Sequence, residues 1–238
     1  MKSLKIFFFL FGLAYTHNIK NDTLNWNFYS RVGAVNTINN YGLASYLRLK
    51  RTTNHNFRDV RFYTNIFGSN QDIRLRHKSS KISFNLPWFY HFNTVAYQKN
   101  SLIDINLRYH YNQGFGYLLK RNNKNITLEI GIAYDVSDYL ENTLKTSYAK
   151  SAFTYDQNFK NVSTKLEIER FSQISDEIDN TNLSRYQLML ELNWNFYKRI
   201  SIISGIYQEA STSNLYTQNN RLISYLTLAF KSPLKWML

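Results

Sequence analysis

Residues 103–119 read Ile103-Asp-Ile-Asn-Leu-Arg-Tyr-His-Tyr-Asn-Gln-Gly-Phe-Gly-Tyr-Leu-Leu119, and this stretch decides the fold. Its odd-numbered positions are aliphatic or aromatic, broken only by Gln113. The even-numbered positions are mostly polar, with Asp104, Arg108 and His110 among them. Because successive side chains of a β-strand point to opposite faces, the stretch predicts a long strand with one apolar and one polar face.

The same period of two recurs along most of the chain. Strands are predicted at 24–34, 41–50, 59–66, 72–84, 88–97, 103–119, 126–135, 143–153, 162–169, 185–196, 200–208 and 221–231. The alternation is weakest at 72–84 and 143–153. We find no convincing amphipathic helix and no linker, so the sequence predicts one all-β domain.

The N-terminus has the features of a secretory signal peptide. Lys2 and Lys5 supply the charged region, Ile6 to Leu13 the apolar region, and Gly12-Leu13-Ala14 the small residues before a cleavage site. We therefore predict a signal peptide over 1–14 and a β-barrel domain over 15–238. An uncleaved N-terminal anchor is the alternative. Export leaves the periplasm, the outer membrane or the medium as destinations.

Two patterns favour a transmembrane barrel over a soluble sandwich. Six glycines share the polar face of the predicted strands, where they let strands bend and inward side chains approach the backbone: Gly33, Gly42, Gly114, Gly116, Gly131 and Gly205. In the second half of the chain, long connections alternate with short ones, as in barrels with external loops and periplasmic turns. We expect a transmembrane antiparallel up-and-down β-barrel of about twelve strands.

Composition narrows the function classes. The chain has 17% aromatic residues, which suits lipid-facing aromatic girdles, and no cysteine, which excludes disulfides and thiolate chemistry. Its formal charge is +13, but export and the lack of an aromatic platform on a basic face argue against nucleic acid. Residue usage typical of an AT-rich genome explains much of the basic excess.

The polar face of the strands would line the lumen. Its candidate lining residues are Arg31, Arg48, Arg61, Asp104, Arg108, His110, Glu129, Glu167, Glu169, Arg185 and Glu191, with Asp59 beside them. One interpretation is a salt-bridged interior filling, because buried charges are normally paired. The other is a charge-lined path that binds or conducts solutes.

Catalytic and cofactor chemistry has little support. The five histidines show no metal-ligand spacing, and we predict no metal and no cofactor. His110, expected near Arg108 and Asp104, comes nearest to a catalytic setting. Gly114-Phe-Gly116-Tyr117 lies inside a strand, so it is not a phosphate loop. We predict that the protein is not an enzyme.

Basic residues gather near the predicted periplasmic turns. Lys120, Arg121, Lys124, Lys198 and Arg199 are examples. Ordinary solvated turn charge explains them, and the alternative is a basic rim that contacts anionic phospholipid or peptidoglycan.

A family resemblance rests on the segment Tyr97 to Tyr134. Arg108 followed by Gly114-Phe-Gly116-Tyr117, then Ile126-Thr-Leu-Glu-Ile-Gly-Ile-Ala-Tyr134, resembles the YdiY-like "salt-induced outer membrane protein" family, domain of unknown function 481. The resemblance implies an outer-membrane barrel without assigned catalytic or ligand residues. Two departures are the glycine-free first turn, 36–40, and the C-terminal Leu238 in place of a terminal aromatic.

These observations predict a porin-like structural or passive-permeation protein of a Gram-negative outer membrane, with a link to envelope or salt stress implied by the resemblance. Expected partners are outer-membrane lipid, the barrel-assembly machinery and small ions or solutes. The alternatives are an outer-membrane lipid-modifying enzyme and a soluble secreted β protein that binds carbohydrate through exposed aromatics.

Overall fold

Twelve antiparallel β-strands form one closed barrel in the computed structural model, which describes residues 24–38, 40–103, 105–138, 144–176, 182–211 and 221–234. The strands are β1 (Asn25–Asn36), β2 (Tyr41–Thr52), β3 (Asn56–Phe67), β4 (Asn70–Ser83), β5 (Leu86–Asn100), β6 (Ile105–Arg121), β7 (Lys124–Ser137), β8 (Leu144–Asn158), β9 (Val162–Gln173), β10 (Arg185–Tyr197), β11 (Ile200–Ser211) and β12 (Arg221–Leu234). A short 3₁₀ turn, Ser101–Ile103, lies between β5 and β6. The predicted signal peptide, 1–14, and Asp104 lie outside the described residues.

The barrel closes where β1 pairs with β12. Their register runs from Trp26 opposite Leu234 to Asn36 opposite Ser224, and every other ladder joins strands that follow one another in the chain. Closure leaves no strand edge unpaired. The predicted all-β, up-and-down architecture and its twelve strands are confirmed.

The two ends of the barrel differ in their connections. At one end, which we call the short-turn end, the strands are joined by residues 53–55, 84–85, 122–123, 159–161 and 198–199. At the other, the long-loop end, the second half of the chain has the longer connections 138–143, 174–184 and 212–220. Phe84 and Asn85 have φ angles of 55° and 56°, the positive values that a two-residue hairpin turn of the common type requires.

The exterior of the barrel is mainly apolar. Outward side chains such as Val32, Leu43, Ile130, Leu192 and Leu226 are exposed, which a water-soluble protein would avoid over so large an area. Aromatic rings occur at both ends of this surface. Trp88, Phe89, Phe115 and Tyr117 contact one another towards the short-turn end, and Tyr41, Tyr109, Tyr134 and Tyr186 lie towards the long-loop end. Among the described residues, no helix has the length and apolar character to cross a membrane.

Glycines bring the backbone of neighbouring strands close together on the inner face. Gly114 on β6 lies directly opposite Gly131 on β7. A Cβ on Gly114 would lie 2.0 Å from the carbonyl oxygen of Ile130, and one on Gly131 would lie 2.1 Å from that of Gln113. Both distances are too short for any side chain, so this pair lets the wall bend sharply.

The first turn has no glycine because threonine closes it. The Thr37 amide donates to the Asn40 carbonyl at 2.8 Å, and the Asn40 amide donates to Thr37 Oγ1 at 3.1 Å. Such a side-chain-closed turn needs no glycine.

An apolar cluster lies inside the long-loop end of the barrel. Leu102, in the 3₁₀ turn, is buried against Val35, Ala44, Phe67 and Ile223, which come from four different strands. Ser101 holds the turn in place because its Oγ accepts a 2.8 Å hydrogen bond from the Gln71 amide. The 3₁₀ turn thus narrows this mouth of the lumen with an apolar side chain.

Candidate functional site

The lumen is the candidate site, and the predicted lining residues that the structure describes all take part in contacts inside it. These are Arg31, Arg48, Arg61, Arg108, His110, Glu129, Glu167, Glu169, Arg185 and Glu191, and only the eleventh, Asp104, lies outside the described residues. Charged side chains that touch across a closed barrel can do so only through its interior. What these residues do for a solute stays a prediction.

On one wall, a single buried carboxylate holds two arginines. Asp59 on β3 accepts hydrogen bonds from Arg48 Nε at 2.7 Å and Nη2 at 2.9 Å, and from Arg61 Nε at 2.7 Å. Charge-assisted bonds of this length fix both guanidinium groups in position.

The neighbouring strand β4 carries a ladder of basic residues that sequence reasoning missed. Asp72, Arg74, Arg76 and Lys78 share the inward face, and Arg74 is held by two hydrogen bonds to Asp72, at 2.9 and 2.6 Å. Alternate residues of a strand are about 6.6 Å apart, so the cations follow one another along the lumen. All four have even residue numbers, so the period of two could have placed them on one face of the strand from the sequence.

Some ion pairs cross the lumen. Arg76 Nη2 lies 3.3 Å from Glu169 Oε1 on β9, and Arg76 Nη1 lies 3.6 Å from Glu167 Oε1. Arg31 on β1 reaches Glu191 on β10 at 2.5 Å. The guanidinium carbon of Arg74 lies 4.2 Å from the centre of the Tyr207 ring on β11. These contacts join walls that are separated by several strands, so they subdivide the interior.

A buried lysine extends the network towards the short-turn end. Lys150 on β8 lies 3.0 Å from Glu169 and 3.7 Å from Glu129, and Lys78 also contacts Glu129. The rings of Phe92 and Phe171 lie against the Lys150 ammonium group at 5.3 and 5.8 Å. Sequence reasoning missed Lys150 because its strand has small residues on both faces.

Near the long-loop end, two arginines and two carboxylates interlock. Arg185 contacts Asp135 at 2.9 Å, and Arg108 contacts Glu209 at 2.9 Å. Asp135 and Glu209 therefore point into the lumen.

His110 belongs to the same cluster, and both of its ring nitrogens are occupied. Nδ1 lies 2.5 Å from Asp135 Oδ1, and Nε2 lies 2.6 Å from Asn112 Nδ2. The carboxylate beside it is Asp135; Asp104, its predicted neighbour, lies outside the described residues. A general base needs a nitrogen free to take a proton from a nucleophile, and this arrangement provides none.

The basic groups face the interior more openly than the acidic ones along β2–β4. The side chains of Arg48 and Arg74 are 28% and 21% exposed, whereas those of Asp59 and Asp72 are 0% exposed. The carboxylates thus lie beneath the arginines as counterions. A solute in the lumen meets guanidinium groups along this wall.

A cavity of about 160 Å³ lies in the middle of the lumen. Six arginines line it, Arg31, Arg61, Arg74, Arg76, Arg108 and Arg185, together with Glu167 and Glu169. A water molecule needs roughly 10–15 Å³ of such volume, so the cavity has room for several waters. The described residues contain no group of histidine, aspartate and glutamate side chains that could hold a metal ion.

Two tyrosines occupy the space above inward-facing glycines. A Cβ on Gly116 would lie 2.2 Å from the Tyr90 ring, and one on Gly205 would lie 2.5 Å from the Tyr225 ring. The Tyr90 hydroxyl donates to Glu129 at 2.8 Å, and the Tyr225 hydroxyl donates to Glu191 at 2.6 Å. The glycines therefore create the room that lets each ring hold an acidic residue of the network.

Comparison with solved structures identifies similar barrels. The NanC porin superposes with a TM-score of 0.58 at 8% sequence identity, covering 85% of this chain and 98% of the porin. The KdgM porin superposes with a TM-score of 0.51 at 10% sequence identity, covering 86% of this chain and 98% of the porin. The COG4313 outer membrane channel from Pseudomonas putida F1 superposes with a TM-score of 0.51 at 10% sequence identity, covering 93% of this chain and 98% of the channel. No protein-family model and no curated protein matches the sequence. At these identities the likeness concerns the fold.

Proposed function

We propose that the protein is an outer-membrane channel through which small solutes pass passively, with a preference for anions. An outer-membrane location accounts for the exposed apolar exterior and for the aromatic rings at both ends of the barrel. It also accounts for the closed strand pairing, because lipid offers no hydrogen-bond partner to an unpaired backbone group. The porin-like fold is in keeping with this role.

The observation that carries the anion preference is the layered charge of β2–β4. Arg48 and Arg74 face the interior, and their counterions Asp59 and Asp72 are fully buried beneath them. Rings and rows of charged side chains on a pore wall determine which ions enter. They attract ions of opposite charge and replace part of the hydration that those ions lose. A chloride ion or small carboxylate is favoured at this wall over a cation.

The size of the solute is limited by the cross-lumen contacts. Arg76 and Glu169 meet in the interior, and Leu102 narrows the long-loop end. The channel therefore admits small ions and solutes and excludes large oligomers. We expect a conductance well below that of a wide, water-filled porin.

The two alternatives find less support among the described residues. A lipid-modifying enzyme needs a free general base, and Asp135 and Asn112 occupy both nitrogens of His110. A soluble carbohydrate-binding protein would leave the apolar barrel exterior in water. Membership of the YdiY-like family and a role in salt stress stay predictions, which induction of the protein by raised salt would test.

The test is ion conduction in a planar lipid bilayer. With a potassium chloride gradient across the bilayer, we expect a reversal potential that reports chloride preference. The double variant R48Q/R74Q should reduce that preference, whereas Q187A, at an uncharged position of the cavity lining, should not. Absence of conductance from the folded barrel, or a cation preference in the parent protein, would overturn the proposal. Cell fractionation and heat-dependent gel mobility test the location separately.

A further inference from the structure

A small residue on β5 forms part of the wall of the lumen cavity. Ala96 lies directly opposite Arg76 on β4 and directly opposite His110 on β6. All three residues line the cavity. The alanine side chain is much shorter than its two neighbours, so the space over β5 stays open between them.

Arginines flank this open space on both sides. At the next inward position of β5, Gln98 lies opposite Arg74 on β4 and Arg108 on β6, and all three line the cavity. Two strand spacings separate β4 from β6, which is roughly 10 Å. The wall of a closed barrel curves, so inward side chains of β4 and β6 lean towards each other over β5. We call Arg74, Arg76, Ala96, Gln98 and Arg108 the Ala96 site.

The flanking arginines keep hydrogen-bond donors that the protein does not use. Arg74 donates from Nε and Nη2 to Asp72, which leaves its Nη1 group. Arg108 donates from Nη1 to Gln98 at 3.2 Å and to Glu209 at 2.9 Å, which leaves its Nη2 group. Among the described residues, none accepts a hydrogen bond from either remaining group. Each side of the Ala96 site can therefore bind an acceptor.

Two further donors of the Ala96 site are buried without a partner. Gln98 is 8% exposed, and its NH₂ group donates to none of the described residues. Arg108 Nε is also buried and lies 4.0 Å from Asp135 Oδ2, which is too far for a hydrogen bond. A buried donor without an acceptor destabilises a structure. Oxygen atoms of a bound solute would supply acceptors at this point of the wall.

Positive charge is also more accessible here than negative charge. The side chains of Arg74 and Arg76 are both 21% exposed, whereas those of Asp72 and Glu169 are 0% and 8% exposed. A solute over Ala96 thus has accessible guanidinium groups on the β4 side and Arg108 on the β6 side. The arrangement suits a solute with a negative group at each end.

We propose that the Ala96 site binds a short dicarboxylate, with one carboxylate group at Arg74 and Arg76 and the other at Gln98 and Arg108. The proposal rests on the channel function proposed above and names the class of solute. Guanidinium groups match carboxylates in geometry and charge. A cavity of roughly 150 Å³ holds a benzene molecule, so the cavity of about 160 Å³ has room for a dicarboxylate of about four carbon atoms.

The separation of the two basic groups distinguishes a dicarboxylate from other anions. Chloride and acetate carry one charge and satisfy one side of the Ala96 site. Sulfate carries two charges on a single centre, so it cannot reach both sides at once. Succinate carries the same total charge as sulfate at neutral pH, but its carboxylates lie at opposite ends of a short chain.

Titration calorimetry of the folded barrel in detergent tests this binding without relying on conduction. At pH 7 and low salt, we expect the dissociation constant for succinate to be at least tenfold lower than that for sulfate or for acetate. Equal dissociation constants for succinate and sulfate would overturn the proposal, because they would mean that charge alone determines binding.

Filling the space over β5 locates the binding. A96L keeps every arginine but occupies the space between them, so succinate affinity should fall at least tenfold while the chloride preference in a bilayer persists. A152L is the matched control, because Ala152 shares the inner face of β8 with Lys150 and does not line the cavity. It should leave succinate affinity unchanged. Unchanged affinity in A96L would place the binding elsewhere and overturn the proposal.

A second variant covers the case that A96L does not fold, which heat-dependent gel mobility shows. Q98L removes the unpartnered NH₂ group at nearly constant side-chain size, and it should also weaken succinate binding at least tenfold. Its affinity for acetate should change less, because acetate can still bind at Arg74 and Arg76. Equal succinate affinity in folded Q98L and the parent protein would contradict the role given to Gln98 and Arg108.

The two proposals fail separately in this design. A barrel that binds succinate but conducts no ions would overturn the channel function and leave the Ala96 site standing. An anion-selective channel that binds succinate no more tightly than sulfate would overturn the Ala96 site alone. A folded barrel that neither conducts ions nor binds succinate would overturn both.

Discussion

Arg76 on β4 meets Glu169 on β9 across the lumen, with 3.3 Å between Nη2 and Oε1. The Lys150 ammonium group forms an ion pair with the same carboxylate at 3.0 Å, so side chains of three strands meet at Glu169. The result is a constriction built from side chains of the wall. The width of this constriction therefore depends on single residues, so a single substitution can change it.

Shortening Arg76 should widen the channel. In R76A, the cross-lumen contact disappears and single-channel conductance should rise by about two-fold, because the narrowest part of a pore dominates its resistance. R48A, which removes an arginine bonded to Asp59 on the adjacent strand, is the control and should change conductance less. Equal conductance in R76A and the parent protein would show that the constriction lies elsewhere.

Removing the Asp59 carboxylate should destabilise the barrel. In D59A, Arg48 and Arg61 lose their shared partner, and breaking a buried pair costs about 3–5 kcal/mol. Because Arg48 is partly exposed, we expect about 2–3 kcal/mol, measured by urea unfolding in lipid vesicles. D176N, outside the strands, should change the free energy of unfolding by less than about 0.5 kcal/mol. Similar effects of both variants would refute the role given to Asp59.

Two inward glycines should respond differently to alanine. In G131A the new Cβ meets the backbone carbonyl of Gln113, which cannot move without disturbing the ladder, so we expect a loss of about 3 kcal/mol. In G116A it meets the tip of the Tyr90 ring, which can turn away, so the loss should be about 1–2 kcal/mol.

The same unfolding measurement separates these two cases further. Replacing Tyr90 by alanine in the G116A background should cancel most of the clash, giving a non-additive double-mutant cycle. The loss of unfolding free energy caused by G131A should be the same with and without Y90A. Additive effects of Y90A and G116A would mean that the two residues do not share this space.

His110 should have no catalytic role. The purified barrel should hydrolyse no phospholipid ester and transfer no acyl chain beyond the level of H110A, because Asp135 and Asn112 occupy both ring nitrogens. The assay uses mixed micelles of detergent and phospholipid. Activity in the parent protein that H110A abolishes would restore the enzyme interpretation.

The basic residues of the short-turn end should bind anionic surfaces. Lys120, Arg121, Lys124, Lys198 and Arg199 are all exposed at this end of the barrel. Replacing all five by glutamine should weaken binding of nanodisc-held protein to anionic liposomes by at least about tenfold, since each surface cation contributes about 1 kcal/mol. The effect should vanish at high salt. Unchanged binding would leave these residues as ordinary solvated turn charge.

The alternation along the chain was enough to predict the barrel, and its weak points have a physical cause. On β4 the outward positions include His77, Ser79 and Lys81, so polarity no longer distinguishes the two faces. On β8 the outward residues Ser147, Ala149 and Ser151 are small, which hides Lys150 on the inner face. The basic ladder of β4 was missed for the first of these reasons.

The contacts across the lumen could not be predicted from the sequence. Arg76 and Glu169 are 93 residues apart, and whether they meet depends on the stagger of twelve strands, which alternation does not encode. Leu102 illustrates a second limit. An apolar residue in a short connection carries no sign that it folds inward over the mouth of the lumen.

The pairing of β1 with β12 dictates the order of events during biogenesis. Until β12 has been synthesised, β1 has no partner on that side, and every shorter intermediate is an open sheet with two reactive margins. An open sheet of this kind exposes unpaired backbone groups to other chains. Closure of the barrel is consequently post-translational, because the first and the last of its strands pair with each other.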